Sequence, residues 1–174
     1  MESIRNGMVC VVCAQVLILT FAACQSGEGW NRLSEPSSSA AAAKALGVFL
    51  KPVTAVVHEV GPASEQLRLD EVWLEEVIER FKSIPIRRKV SGTRLCIRLA
   101  LTRKQRPPGG IDAQIKAQDQ AMGAPARDAT VFTRDAILVS FKVDGGRWFP
   151  KVGKVTITEP STHEKVVVGF SVVE

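Results

Sequence analysis

The sequence predicts an α+β fold, with one amphipathic helix packed on a mostly antiparallel β-sheet. Three observations lead there. The C-terminal third alternates apolar and polar residues between turn signals, as antiparallel strands do. The stretch LRLDEVWLEEVIERFKS repeats apolar residues every four positions, at Leu69, Trp73, Val77 and Phe81. The chain has 174 residues, 45% of them hydrophobic and 24% charged, which suits one globular domain. That balance excludes disorder throughout and a polytopic membrane protein. Two His residues exclude a His-rich metal site, and the absence of Tyr argues against an aromatic binding surface. No metal and no cofactor are expected.

The chain starts with MESIRNG, which holds one Arg and one Glu, and continues into an apolar run of 16 residues, Met8–Ala23. A helix of that length reaches about 24 Å, against about 30 Å for a bilayer core. The run is short for a permanent span and suits the core of a signal peptide. It ends in Phe21-Ala22-Ala23-Cys24, two small residues directly before a cysteine. This resembles the lipobox of bacterial lipoproteins, although that family usually has Leu where Phe21 stands. The resemblance covers about the first 25 residues. It implies cleavage before Cys24, a diacylglycerol thioether and usually an acylated amine on Cys24, and so an anchor in the lipid bilayer. Gln25, being other than Asp, implies the outer membrane facing the periplasm. A plain secretory signal cut near Ala23 and an uncleaved signal anchor are the alternatives. The CxxC of Cys10 and Cys13 lies inside the apolar run, where a redox or zinc site has no polar setting.

The expected organisation is a signal peptide over 1–23, lipidated Cys24 with a Ser/Ala-rich tether over 24–45, and one globular domain over 46–174. The tether composition suits a flexible spacer, and its Ala run is also able to form a helical turn. Trp30 is placed either at the lipid interface or on the domain. The segment LGVFLKPVTAVVHEVG reads as a strand, with Pro52 marking an edge or a bulge. His58 within it is read as structural. The helix then follows over about 69–82, capped by Asp70 and stopped by Pro85, with Glu71, Glu75, Glu76 and Glu79 mainly on its polar face.

After the helix the charge changes sign. Ten basic residues and no acidic one lie between Arg80 and Arg106, in a chain whose net charge is +5. Within this block TRLCIRLALTRK alternates as a strand. Leu95, Ile97, Leu99 and Leu101 face one way, while Arg94, Cys96 and Arg98 face the other. Cys96 is expected to be a buried, inert thiol. The cations form either a solvated or paired face or an anion-binding surface on Arg87, Arg88, Lys89, Arg94 and Arg98. Nucleic acid is not expected, since export removes the usual partner and Phe81 is the one aromatic in the block.

RPPGG breaks the chain at 106–110. IDAQIKAQDQAMG is read as a short helix, and APARDATVFTRD as a loop holding at most a short strand. AILVSFKV is a strand, and Asp144-Gly145 signals a hairpin into RWFPKVGKVTITE. A further turn, EPSTHEK, holds His163 and leads to KVVVGFSVV, so the last strands form an antiparallel meander. The final GKVTITEPSTHEKVVVGFSVV is loosely similar to the closing hairpins of small sandwich-like or calycin-like envelope lipoproteins, a likeness that carries no site residues.

No nucleophile elbow, phosphate loop or zinc-protease motif occurs. The expected function is therefore a membrane-anchored envelope lipoprotein with a small non-catalytic binding or scaffolding domain for an envelope protein or polymer. One alternative is an anion-binding module for phosphate-bearing lipid or polymer. The other is an envelope polymer hydrolase using paired carboxylates such as Glu71 and Glu75.

Overall fold

The computed structural model describes residues 32–33, 35–60, 66–80, 88–102, 106–118, 125–145 and 149–173. Nine strands and one short helix occur among them. They are β1 (Arg32–Leu33), α1 (Ala40–Ala45), β2 (Phe49–Val60), β3 (Leu67–Arg80), β4 (Arg88–Leu101), β5 (Asp112–Ala117), β6 (Ala126–Phe132), β7 (Ala136–Asp144), β8 (Val152–Thr158) and β9 (Lys165–Val172). Every pairing is antiparallel. The strand order is β5-β8-β9-β2-β3-β4-β7-β6, with β1 beside β3. The sheet curls into a nearly closed barrel, and the Arg127 side chain of β6 crosses the seam to β5. There its Nη2 donates to the Ile111 carbonyl at 2.8 Å, and its Nη1 lies 3.8 Å from Asp112.

The expected amphipathic helix over 69–82 is instead strand β3. A four-residue repeat keeps one face in a helix, and four, being even, would also keep one face in an unbroken strand. The pairing of β3 with β4 shifts register between Leu69 and Glu71. Each such bulge inserts one residue. Core-facing positions therefore run Leu67, Leu69, Val72, Leu74, and the three-residue step imitates a helical period. Burial on both faces completes the disguise, because Trp73 on the outer side is as buried as Leu74 on the inner side. The same even spacing, at Ile111 and Ile115, misread β5 as a helix. The segment after it, read as a loop with a short strand, carries that strand as β6.

β2 is a strand with a register shift between Phe49 and Pro52, as the proline predicts. Its first residues pair with β3, and Val53–Val60 pair with β9, so β2 belongs to both halves of the barrel. β8 and β9 form the expected hairpin, with His163 in the turn at φ 58°. The hairpin expected at Asp144-Gly145 does not form. β7 lies between β4 and β6, and the Gly145 N–H bonds the Ser91 carbonyl at 2.9 Å instead. The chain then crosses to the other half, and Phe149 enters the core with its ring centroid 5.8 Å from that of Phe170.

The barrel interior is filled by the inward rows of β3, β4, β7, β8 and β9, including Leu95, Ile97, Leu99, Val139, Phe141, Ile157 and Val168. Each such side chain contributes about 1.5–3 kcal/mol by leaving water. Gly92 of β4 is needed for β7 to approach, since a Cβ there would overlap the Val143 carbonyl. No helix among the described residues is long and apolar enough to cross a membrane.

One carboxylate is built into the loop end of the barrel. Glu159 is buried and accepts from the N–H and hydroxyl of Ser161, the N–H and hydroxyl of Thr162, and the Gly109 N–H. It thereby ties the turn at 107–110 to the β8–β9 hairpin. Burial pushes its pKa up, but the Ser161 and Thr162 hydroxyls, then the backbone N–H groups, overcome this and hold it at about 2.

Two predictions follow from these contacts. Gly92→Ala destabilises by about 1–3 kcal/mol in urea unfolding, because the obstacle is backbone. The stability difference between the native chain and Glu159→Gln is full above the ordinary carboxylate range. It shrinks as pH falls from about 5 to about 2, because the folded pKa is the lower one. Urea midpoints of both proteins across that range measure it.

Candidate binding surfaces

The outer face of β3 and β4 carries the charged residues that the sequence singles out. Even spacing places Glu71 and Glu75 on one side of β3, and Arg94 and Arg98 on one side of β4. Antiparallel register then sets Glu71 opposite Arg98 and Glu75 opposite Arg94. Arg94 Nη1 donates to Glu75 Oε1 at 2.9 Å. Its Nε lies 2.7 Å from Asp128 Oδ2, oriented for charge attraction rather than for a straight hydrogen bond. The Trp73 indole donates to Glu75 Oε2 at 3.1 Å. Arg98 Nη1 lies 3.0 Å from Asp70 and 4.0 Å from Glu71.

A strap of chain covers this layer. Ser39 caps α1, its hydroxyl accepting from the Ala42 N–H at 3.1 Å. Ala43 is fully buried and packs with Trp73, Cys96 and Leu138, alongside Val48 and Phe49. Backbone N–H groups of the strap reach the carboxylates, Ser37 to Glu75 at 3.4 Å and Ala40 to Glu71 at 3.3 Å. The Ala run thus forms the helical turn, and it packs on the sheet.

Of the two alternatives for the cations, a paired face and an anion-binding surface, this cover gives Arg94 the first. Arg94 points to the outer face as its period requires, but its side chain is only 1% exposed and is met by two carboxylates. Arg98 is half-buried and lines a cleft of about 300 Å³ with Ser38, Ser39 and Thr133. Lys89 is exposed and stands opposite Glu79, and Arg88 stands opposite Arg80. Arg87 and Cys24 lie outside the described residues, as do Trp30 and the CxxC pair. The structure therefore brings Arg94 and Arg98 together with acids. Cys96 is buried on β4, and burial, then the Glu75 charge, pushes its thiol well above the usual range, which leaves it unreactive. Among the described residues no group of His, Cys, Asp and Glu is arranged to hold a metal ion.

A second surface, missed in the sequence, lies on the other half of the barrel. Lys116 of β5 and Lys154 of β8 are directly opposite each other, both exposed. The next strands continue the row with Gly169 and Val56. The missing side chain at Gly169 leaves a groove of about 400 Å³, edged by Thr54, Val152 and Ser171. The signal was present as alternation in QIKA and GKVTIT. It becomes legible only once β5 is a strand paired with β8. The chain matches no known protein-family model, no curated protein and no solved structure.

The Arg94 cluster yields a stability prediction. Arg94→Met leaves Glu75 buried without its cation and costs about 3–5 kcal/mol. Adding Glu75→Gln recovers part of that loss, because the stranded charge is removed. Urea unfolding of the single and double variants checks both values.

Proposed function

We propose that this chain is a bacterial envelope lipoprotein, held through acylated Cys24 in the outer membrane facing the periplasm, whose barrel is a non-catalytic binding or scaffolding domain. The observation that carries the reading is Phe21-Ala22-Ala23-Cys24 at the end of a 16-residue apolar run. Two features of the barrel support a role in recognition at its outer surface. Its interior is occupied by packed aliphatic and aromatic side chains. Its outer face offers a cleft and a groove of about 300 and 400 Å³, within the range that small ligands and side chains use.

The anchor also sets where such a domain works. Eight Cα–Cα steps separate Cys24 from Arg32, the first described residue paired into the sheet. At about 3.5 Å per extended residue they span at most about 28 Å. A barrel so tethered stays beside the lipid headgroups, and its partners are membrane-proximal envelope proteins or polymers. The carboxylates that a hydrolase reading would employ, Glu71 and Glu75, are engaged with Arg98, Arg94 and the strap. That engagement favours binding over catalysis.

Intact mass of the protein from the membrane fraction tests the anchor. The expected mass is that of residues 25–174 plus a diacylated or triacylated Cys24, and Cys24→Ala abolishes it. A full-length, unmodified mass overturns the proposal.

A further inference from the structure

We propose that the groove on the outer face of β5, β8, β9 and β2 binds a phosphate-bearing amphiphile. The phosphate sits between Lys116 and Lys154, and the hydrocarbon part runs over Gly169 toward Val56. This goes beyond the lipoprotein reading and does not depend on it.

The first argument is electrostatic. Side chains directly opposite on neighbouring antiparallel strands have Cβ atoms about 5 Å apart, and like charges there destabilise the sheet. Lys116 and Lys154 are such a pair, and neither has an acidic partner among the described residues. Several other cations are arranged differently, although Arg88 too stands opposite a cation, Arg80. Arg94 and Arg98 face carboxylates, Arg127 lies 3.8 Å from Asp112, and Lys142 lies 2.6 Å from Asp144. An anion held between the two ammonium groups removes their repulsion. A phosphomonoester carries close to two negative charges at neutral pH, which matches two lysines. Lysine, a compact charge on a flexible stem, suits a phosphate approached from several angles.

The second argument is shape and polarity along the row. The sequence of neighbours across the strands is Lys116, Lys154, Gly169, Val56. Two strand spacings, about 10 Å, separate Lys154 from Val56. Gly169 keeps that path open. At its apolar end Val56 is 51% exposed, while Val152, 41% exposed, edges the floor two residues along β8 from Lys154. The Ser171 and Thr54 hydroxyls flank it. A cationic end, an open floor and an apolar end, in that order, fit an anionic headgroup joined to a short hydrocarbon. Free phosphate would use only the first of these.

The test uses the full chain in non-ionic detergent, titrated with butyl phosphate, inorganic phosphate and butanol, with binding read by calorimetry. Butyl phosphate is expected to bind with a Kd of about 1 mM, and at least about fivefold more tightly than inorganic phosphate. Butanol is expected not to bind. Lys116→Glu and Lys154→Glu each weaken butyl phosphate at least about tenfold. Both variants also melt no lower than the native chain, since each converts a repulsive pair into an attractive one. That melting readout separates loss of the site from loss of the fold. Val56→Ser, at an exposed position, removes the preference for butyl over inorganic phosphate. No heat with butyl phosphate up to about 20 mM, or equal affinity in both lysine variants, overturns the site. Equal affinity of the native chain for the two phosphates overturns the amphiphile and leaves a simple anion site.

Discussion

A guanidinium carried out of water destabilises a fold unless carboxylates meet it, and Arg94 imposes that demand on the outer layer of this barrel. Its partners come from two strands. Glu75 is supplied by β3, directly opposite, and Asp128 by β6 beyond β7. The Glu75 carboxylate is in turn held by the Trp73 indole and the Ser37 N–H. The layer therefore constrains register. A one-residue slip of β4 would turn Arg94 into the leucine interior and Leu95 into the charge cluster. The hydrophobic core alone favours many approximate alignments of these apolar strands. The ion pair favours one.

The two halves of the barrel solve the problem of charge differently. On the β3–β4 half, Arg94 and Arg98 are matched by acids within reach of their guanidinium groups, and the strap roofs that layer. On the β5–β8 half, two lysines stand together without a described counter-charge and face solvent. β2 joins the halves by pairing with β3 at one end and β9 at the other. Pro52, with no N–H to give, lies at the change of partner. The strand most interrupted in sequence is thus the one that makes one continuous sheet from two.

Much of the sheet was legible residue by residue. β4, β7 and β9 showed as alternation or apolar runs, and the β8–β9 hairpin as a turn between two strands. β3 was not legible as a strand. Its four-residue repeat fits a helix, and the bulge near Leu69, which leaves Leu69 inward and Trp73 outward, removes the two-residue signature that would have decided. The Asp144-Gly145 signal was real as a turn, but its hydrogen bond goes to Ser91 and not across a hairpin. For the sites, local period gave the direction of Arg94 and Arg98 and could not give their cover. The cover is α1, from an Ala-rich stretch with no amphipathic pattern. The Lys116–Lys154 pair depends on two strands 38 residues apart meeting in register, which no local pattern encodes.

The order in which the strap is fastened has a mechanical meaning. Any pull on the N-terminal end of this chain loads the β1–β3 pairing first, then the N–H contacts of Ser37 and Ala40, then the seat of α1 over Trp73. Only after those yield does tension reach β2 and the closed part of the sheet. The strap is thus a fuse in series with the barrel. It gives way over a few residues, lets water reach the Arg94 layer, and leaves the aliphatic interior intact.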